Sequence, residues 1–128
     1  MNEAKLSAYL DGWAMTCCST PQSVAAMIAG ADPEIRFTDV NSPNVHVGHD
    51  GIRHICSLAT GKYDGAAIAC RDLLCDGRNW SIRWTFTGPK PDGSRFSAEG
   101  ASAGRLAEDG RVIEHTDYWN RAGIQGGA

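Results

Sequence analysis

The three Asp-Gly pairs that follow Ala66, at Asp76-Gly77, Asp92-Gly93 and Asp109-Gly110, limit the folds open to this chain more than any other feature. Asp-Gly adopts the positive φ values of a tight hairpin turn at little cost, so such a pair between apolar runs marks two strands folding back on each other. The intervening runs, such as S-I-R-W-T-F-T-G and R-V-I-E-H-T-D-Y-W, are rich in β-branched and aromatic residues. From Ala66 onward the chain therefore reads as successive antiparallel strands.

The last of these runs carries the functional signal. Between Gly110 and Asn120, alternation puts Ile113, His115, Asp117 and Trp119 on one face and Val112, Glu114, Thr116 and Tyr118 on the other. On the first face a carboxylate stands between an imidazole and an indole. A half-buried Asp is unfavourable unless it is paired or used, whereas on a solvent-facing strand the same Asp117 is an ordinary surface charge.

The first half is mostly helical. Leu6, Tyr9, Leu10 and Trp13 recur at helical spacing between Glu3 and about Cys18. Ser19-Thr20-Pro21 offers a cap and a first-turn Pro, and Val24, Ala25, Met27 and Ile28 continue a second helix that Gly30 and Asp32-Pro33 end. Ile35 to Val40 reads as a short strand leading into an N-S-P-N turn. A third helix runs from about Asp50 to Thr60, with Ile52, Ile55, Cys56 and Ala59 as its apolar stripe and Gly61 closing it. Helices first and hairpins later, without β-α-β alternation, give an α+β domain with the N-terminal helices packed on one face of a curved antiparallel sheet. The hollow beneath such a sheet can hold a small molecule.

Composition excludes several classes. A chain of 128 residues, 42% hydrophobic and 21% charged, closes one modest core and is neither disordered nor membrane-spanning. A net charge of -3 without basic clusters offers no footprint for nucleic acid. The start, M-N-E-A-K-L-S, lacks the basic-then-apolar pattern of an export signal, which places the protein in the cytoplasm. The five cysteines, in no C-x-x-C spacing and with Cys17 and Cys18 adjacent, read as reduced thiols, and Cys56 and Cys70 as small core residues. No Cys has the cationic neighbours that a nucleophilic thiolate needs. His46, His49 and His54 span a Gly turn and a helix rather than one face, so they read as loop and capping residues, with no metal expected.

Five segments in order, A-Y-L-D-G-W, F-T-D-V-N-S-P, G-H-D-G-I-R, S-I-R-W-T-F-T-G and E-D-G-R-V-I-E-H-T-D-Y-W-N, resemble the SnoaL-like branch of the nuclear transport factor 2-like superfamily. Its members include polyketide cyclases, ketosteroid isomerase, limonene epoxide hydrolase and scytalone dehydratase. The resemblance implies one SnoaL-like domain over residues 1–128, folded as a cystatin-like cone. It also implies a homodimer formed through the sheet, an assembly to which the four Trp would contribute.

Carried over residue by residue, the resemblance makes Asp117 similar to the pocket Asp that acts as acid or base in the cyclases. Arg83 resembles the hydrolase's pocket Arg, but Thr85 stands where that enzyme has its proton-donating Asp, so the hydrolase triad is broken. Asp39 falls where ketosteroid isomerase has its proton-shuttling Asp, Tyr9 near its oxyanion-hole Tyr, and Ser102 in place of the second donor.

Removing a proton beside a carbonyl requires a base of suitable pKa and a donor for the enolate oxygen. Asp117 is the expected acid or base, Asp39 the second carboxylate, Arg83 the charge partner and Tyr9 a neutral donor. Trp13, Phe37, Cys56, His115 and Trp119 are expected to line the pocket, with His115 placed to orient or protonate Asp117. For each an ordinary role stands open: Asp39 as a turn residue, Tyr9 and Trp13 as packing, and Arg83 on the outer sheet face if Ile82, Trp84 and Phe86 are the buried set. The expected activity is cofactor-independent acid–base catalysis, by an isomerase, aldol-type cyclase or lyase, on a small apolar carbonyl-bearing molecule. The alternative is a non-catalytic binding or dimerisation module of the same fold.

Overall fold

The structure, a computed structural model, describes residues 3–14, 20–59 and 65–120. Cys17, Cys18, Gly61 and the terminal Gln125 to Ala128 lie outside the described residues. The elements are α1 (Glu3–Ala14), α2 (Pro21–Ala29), β1 (Ala31–Asp39), β2 (Val45–Val47), α3 (Gly48–Ala59), β3 (Ala67–Asp76), β4 (Asn79–Pro89), β5 (Arg95–Leu106) and β6 (Val112–Trp119).

Local chemistry sets the ends of these elements. Thr20 caps α2 by accepting from the Ser23 amide while the Ser23 hydroxyl oxygen accepts from the Thr20 amide, and Pro21 opens the first turn. Gly30 closes the helix, its amide bonding the carbonyls of Ala26 and Ile28. Gly77, Gly93 and Gly110 all adopt positive φ, as the three Asp-Gly turns require.

The six strands form one curved sheet in the order β2-β1-β6-β5-β4-β3. Its pairings are antiparallel except for β1 with β6, which run parallel. No tight turn links those two strands, so nothing forces opposite directions on them, and the sheet is mixed rather than wholly antiparallel. This pairing places Phe37 beside His115 and Asp39 beside Asp117.

One departure from strict alternation occurs in β6. Leu106 pairs with Val112 but Arg105 pairs with Glu114, so Ile113 is an extra residue in that strand. The bulge changes the phase: Val112 is fully buried, Ile113 only partly, and His115 and Asp117 still face inward. The core beneath the sheet joins Leu6, Tyr9, Leu10 and Trp13 of α1 and Ile52 and Cys56 of α3 to the inward side chains of the strands. Trp13, Trp80 and Trp84 are buried and Trp119 packs against the same cluster, so none of the four Trp is placed to form an outer-face interface. Among the described residues no helix is long and apolar enough to cross a membrane.

Candidate functional site

Four elements bring five polar side chains into one line. Trp84 Nε1 lies 2.9 Å from Ser102 Oγ, Ser102 Oγ 2.6 Å from Asp117 Oδ1, His115 Nε2 2.6 Å from the same Oδ1, and Tyr9 Oη 2.7 Å from His115 Nδ1. Strand β6 supplies the central pair, and cross-strand register sets Ser102 opposite Asp117. Tyr9 comes from α1, on the same helical face as Leu6 and Trp13.

Donor inventory fixes the direction of the bonds at Trp84 and Ser102, and the tautomer of His115 sets the other two. An indole can only donate, so Ser102 accepts from Trp84 and directs its own proton to Asp117. With the carboxylate ionised and the imidazole neutral, His115 donates from Nε2 and its Nδ1 accepts from the Tyr9 hydroxyl. All the protons point toward Asp117 Oδ1. Among the described residues none bonds its other oxygen, Oδ2, which is not a buried orphan, and the side chain is 12% accessible.

The surroundings are aromatic. Around the His115 ring stand Phe37 at 4.2 Å, Trp80 at 5.2 Å, Trp13 at 5.3 Å and Tyr9 at 5.7 Å between centroids. Tyr9, His115 and Ser102 are fully buried, and burial followed by the nearby Asp117 charge raises the Tyr9 phenol well above its ordinary pKa. Tyr9 therefore keeps its proton and acts as a donor.

The expected constellation is only partly assembled. Asp117 and His115 face inward together, with Tyr9 behind them, but the Tyr9 hydroxyl is buried and bonded to His115 rather than available to an oxyanion. Asp39 lies on the same side at the end of β1. Its oxygens accept from the Trp119 indole at 2.8 Å and the Asn41 amide at 2.8 Å, which makes it a turn residue that also fixes Trp119.

Arg83 is outside. Trp80, Ile82, Trp84 and Phe86 fill the inner face of β4, so alternation sends Arg83 to the outer one, 63% exposed and 3.3 Å from Asp72. Turning Arg83 inward would turn Ile82, Trp84 and Phe86 out of the core into water, which is the larger loss. Thr85, also on the outer side, accepts from Arg71. Trp13 and Phe37 pack directly on His115. Cys56 is buried beneath a surface groove of about 710 Å³ between α2 and α3, lined also by Val24, Ile28 and Arg53; burial raises its thiol pKa. Asp117 does not line that groove. His49 bonds the Ala31 carbonyl at 2.9 Å, and the His46 and His54 rings lie 5.6 Å apart.

Sequence reasoning missed the Trp84–Ser102 link and the box around His115. One available signal was the G-A-S-A-G run of β5, where small residues on the inner face leave space for large rings across the strand pair. A Cβ at Gly100 would come within 2.5 Å of the Trp84 ring.

Six strands curved over three helices, with a buried polar line centred on one carboxylate, define an α+β cone of the nuclear transport factor 2-like type. The chain belongs to the SnoaL-like domain family, whose profile matches residues 7–115. Among solved structures it is similar to TerC co-crystallised with polyporic acid, with 13% identity, 98% of this chain and 95% of that one covered, and a TM-score of 0.79. It is likewise similar to a protein assigned as a SnoaL-like polyketide cyclase from Jannaschia sp. CCS1, with 13% identity, 94% and 88% coverage and a TM-score of 0.77. A nuclear transport factor 2-like protein of unknown function from Exiguobacterium sp. 255-15 has 19% identity, 91% and 98% coverage and a TM-score of 0.73. No curated protein matches the chain.

Proposed function

We propose that this protein is a cofactor-independent acid–base enzyme, an isomerase, aldol-type cyclase or lyase, acting on a small apolar carbonyl-bearing molecule. The observation that carries the reading is the division of labour at Asp117. Two neutral donors hold Oδ1, while Oδ2 is uncommitted at the edge of an aromatic enclosure. Donors on one oxygen fix the carboxylate plane without neutralising its charge, so Oδ2 remains a base.

In the first step Oδ2 takes a proton from the carbon next to the carbonyl. The C–H bond breaks, its electron pair moves into the carbonyl group as an enolate, and Asp117 becomes neutral. Returning the proton to another carbon completes an isomerisation; attack of the enolate carbon on a second carbonyl completes a cyclisation; loss of a leaving group completes an elimination. Nearby aromatic side chains, Trp84 and Trp119 among them, favour a flat, apolar substrate. A fold neighbour co-crystallised with polyporic acid supports a small-molecule role.

The test is carboxyl carbon NMR of Asp117 during titration with a planar enolate analogue. A shift of the Asp117 resonance, lost in Asp117→Asn along with analogue binding, is the expected outcome. An Asp117 carboxyl that ignores a bound analogue would favour a non-catalytic binding module. The internal partners of Asp39, Arg83 and Tyr9 support that rival.

We further propose a homodimer through the convex sheet face. Its support is an uncharged row, Val45, Thr38, Thr116, Ala103, Ser81 and Leu74, whose members pair in sequence across all six strands. Light scattering at micromolar concentration is expected to give twice the chain mass; a monomer there rules the dimer out.

A further inference from the structure

We infer that Asp39 is a positioning residue that, together with Asn41, makes the Trp119 indole a fixed wall beside Asp117, so that the site selects flat ligands over puckered ones. The inference rests on the reading above for the place of the site.

Three donors converge on Asp39. The Trp119 indole N–H donates to Oδ2 at 2.8 Å, while the backbone and side-chain amides of Asn41 donate to Oδ1 at 2.8 and 3.1 Å. The Asn41 side chain also donates to the Trp119 carbonyl at 3.0 Å, and the Val40 amide to the Asp117 carbonyl at 3.1 Å. One turn after β1 thus holds Trp119 at both its backbone and its ring. A carboxylate suits this post because both of its oxygens accept; an Asn there would turn its own amide hydrogens against one set of donors.

Asp39 pairs with Asp117 across the parallel strands, and Trp119 lies two residues beyond Asp117 on the same face of β6. An indole that starts at Trp119 and ends on Asp39 therefore passes along Asp117. Among its other neighbours are Trp84 and Phe86, whose ring centroids lie 5.9 and 6.2 Å away and which both belong to β4, on the opposite flank from β1. Aromatic packing accepts either edge of an indole, whereas only the pyrrole edge carries the N–H. The bond to Asp39 therefore chooses one orientation among those that packing allows. A hydrogen bond to a charged acceptor biases such a choice by about tenfold or more.

Trp119 is only partly buried, and no described residue bonds Asp117 Oδ2. A ligand whose polar end meets Oδ2 has the indole beside it. If its rings are flat they stack on that face; a puckered ring of the same size reaches the carboxylate equally well but touches the face at fewer atoms. An indole free to turn loses this discrimination, because it must then be ordered as the ligand binds. In this role Asp39 touches no reacting atom and acts through Trp119.

The experiment is an NMR titration of protein labelled with ¹⁵N in Trp and ¹³C in Asp, using 2-naphthol as the flat probe and decahydro-2-naphthol as the puckered one. The native protein is expected to bind 2-naphthol more tightly. Asp39→Ala is expected to lower that preference about tenfold and to move the Trp119 indole resonance. Trp119→Phe, which keeps a ring but has no N–H, is expected to lower it as well, and adding Asp39→Ala to that variant should change nothing further. Four outcomes overturn the inference: a native protein without the preference, or binding neither probe; an Asp39→Ala protein with the native ratio; a Trp119→Phe protein with the native ratio; or a full further loss in the double variant, which would give Asp39 a role independent of the indole. Should Asp39→Ala not fold, Trp119→Phe decides alone. An Asp117 carboxyl that ignores bound 2-naphthol while these ratios hold removes the enzymatic reading and leaves this inference intact. A responding carboxyl with an unchanged ratio in Asp39→Ala does the reverse.

Discussion

The concave and convex faces of the β4–β5–β6 sheet come from the same strands, yet they treat charge in opposite ways. On the convex side cations meet anions in water: Arg83 with Asp72 at 3.3 Å, Arg105 with Glu114 at 3.9 Å and Arg71 with Glu99 at 2.5 Å. All six of these side chains are more than one-third exposed, so solvent screens each pair and none binds its partners tightly. On the concave side there is one carboxylate, and what holds it is a hydroxyl and an imidazole N–H. Neutral donors leave its field intact. That field reaches Tyr9, whose phenol it helps to raise. The difference teaches that a charge prepared for chemistry is fixed by dipoles, whereas a charge that serves solubility is matched by a counter-charge.

The faces also differ in how tightly they are filled, and substitution along β5 tests this most severely. Gly104 faces inward, and a Cβ there would overlap the Glu114 carbonyl, a backbone atom that cannot swing aside. Gly104→Ala is expected to lower stability by about 3 kcal/mol or more. Ala103→Ser, one residue away on the outer face, is expected to change it by less than about 0.5 kcal/mol. Urea unfolding of the two variants measures the contrast. Equal midpoints would mean that β5 and β6 do not approach as closely on the concave side as described.

A milder change weakens the polar line itself. Ser102→Ala removes a donor from Asp117 and leaves the buried Trp84 N–H without its acceptor, with an expected loss of about 1–3 kcal/mol. Ser81→Ala, on the convex row, should lie within about 0.5 kcal/mol of native. Thermal unfolding of both variants would separate the faces again.

Alkaline pH probes the line from its Tyr9 end. A folded-state pKa raised above the unfolded value means that, above the ordinary phenol pKa of 10.0, the unfolded chain releases a proton the folded one retains. Stability is then fully present below that pH and falls as pH rises, by up to about 1.4 kcal/mol per pH unit. Tyr9→Phe lacks this component, so its stability relative to native should improve steadily above pH 10.0. Parallel stability curves for the two proteins would place the Tyr9 hydroxyl in solvent.

Much of this architecture could be read from residue types because its causes are local. An Asp-Gly turn needs only its own φ values, and the Thr20-Pro21 helix start needs only Ser23. Alternation grouped Asp117 with His115 and Trp119, as the structure has them, but left open which face is buried, and the Ile113 bulge breaks that grouping earlier in the strand. What escaped depends on distant partners. The Tyr9–His115 bond joins residues 106 apart, and the parallel β1·β6 pairing, which no turn announces, puts Phe37 against that ring. Arg83 was undecidable for a different reason: its strand alternates an aromatic–aliphatic set with a polar set, and only the demand of the core for Trp80 and Trp84 shows which side is wet.

Arg83 accordingly supplies the smallest effect, and the one that bears most directly on the comparison. Its pair with Asp72 is exposed on both sides, at 63% and 56%, so Arg83→Ala is expected to cost at most about 1 kcal/mol and to cost less as salt is added. It should also leave the Asp117 carboxyl resonance unchanged, because the sheet lies between the two side chains and water screens the guanidinium. Asp72 has a positive φ of 58°, so part of any loss would reflect a strained bulge left without its partner rather than the ion pair alone. Measuring Arg83→Ala, Asp72→Ala and the double variant at two salt concentrations separates those contributions. A response of the Asp117 resonance to Arg83→Ala would mean that charge on the convex face reaches the concave site, and the division of roles between the faces would no longer hold.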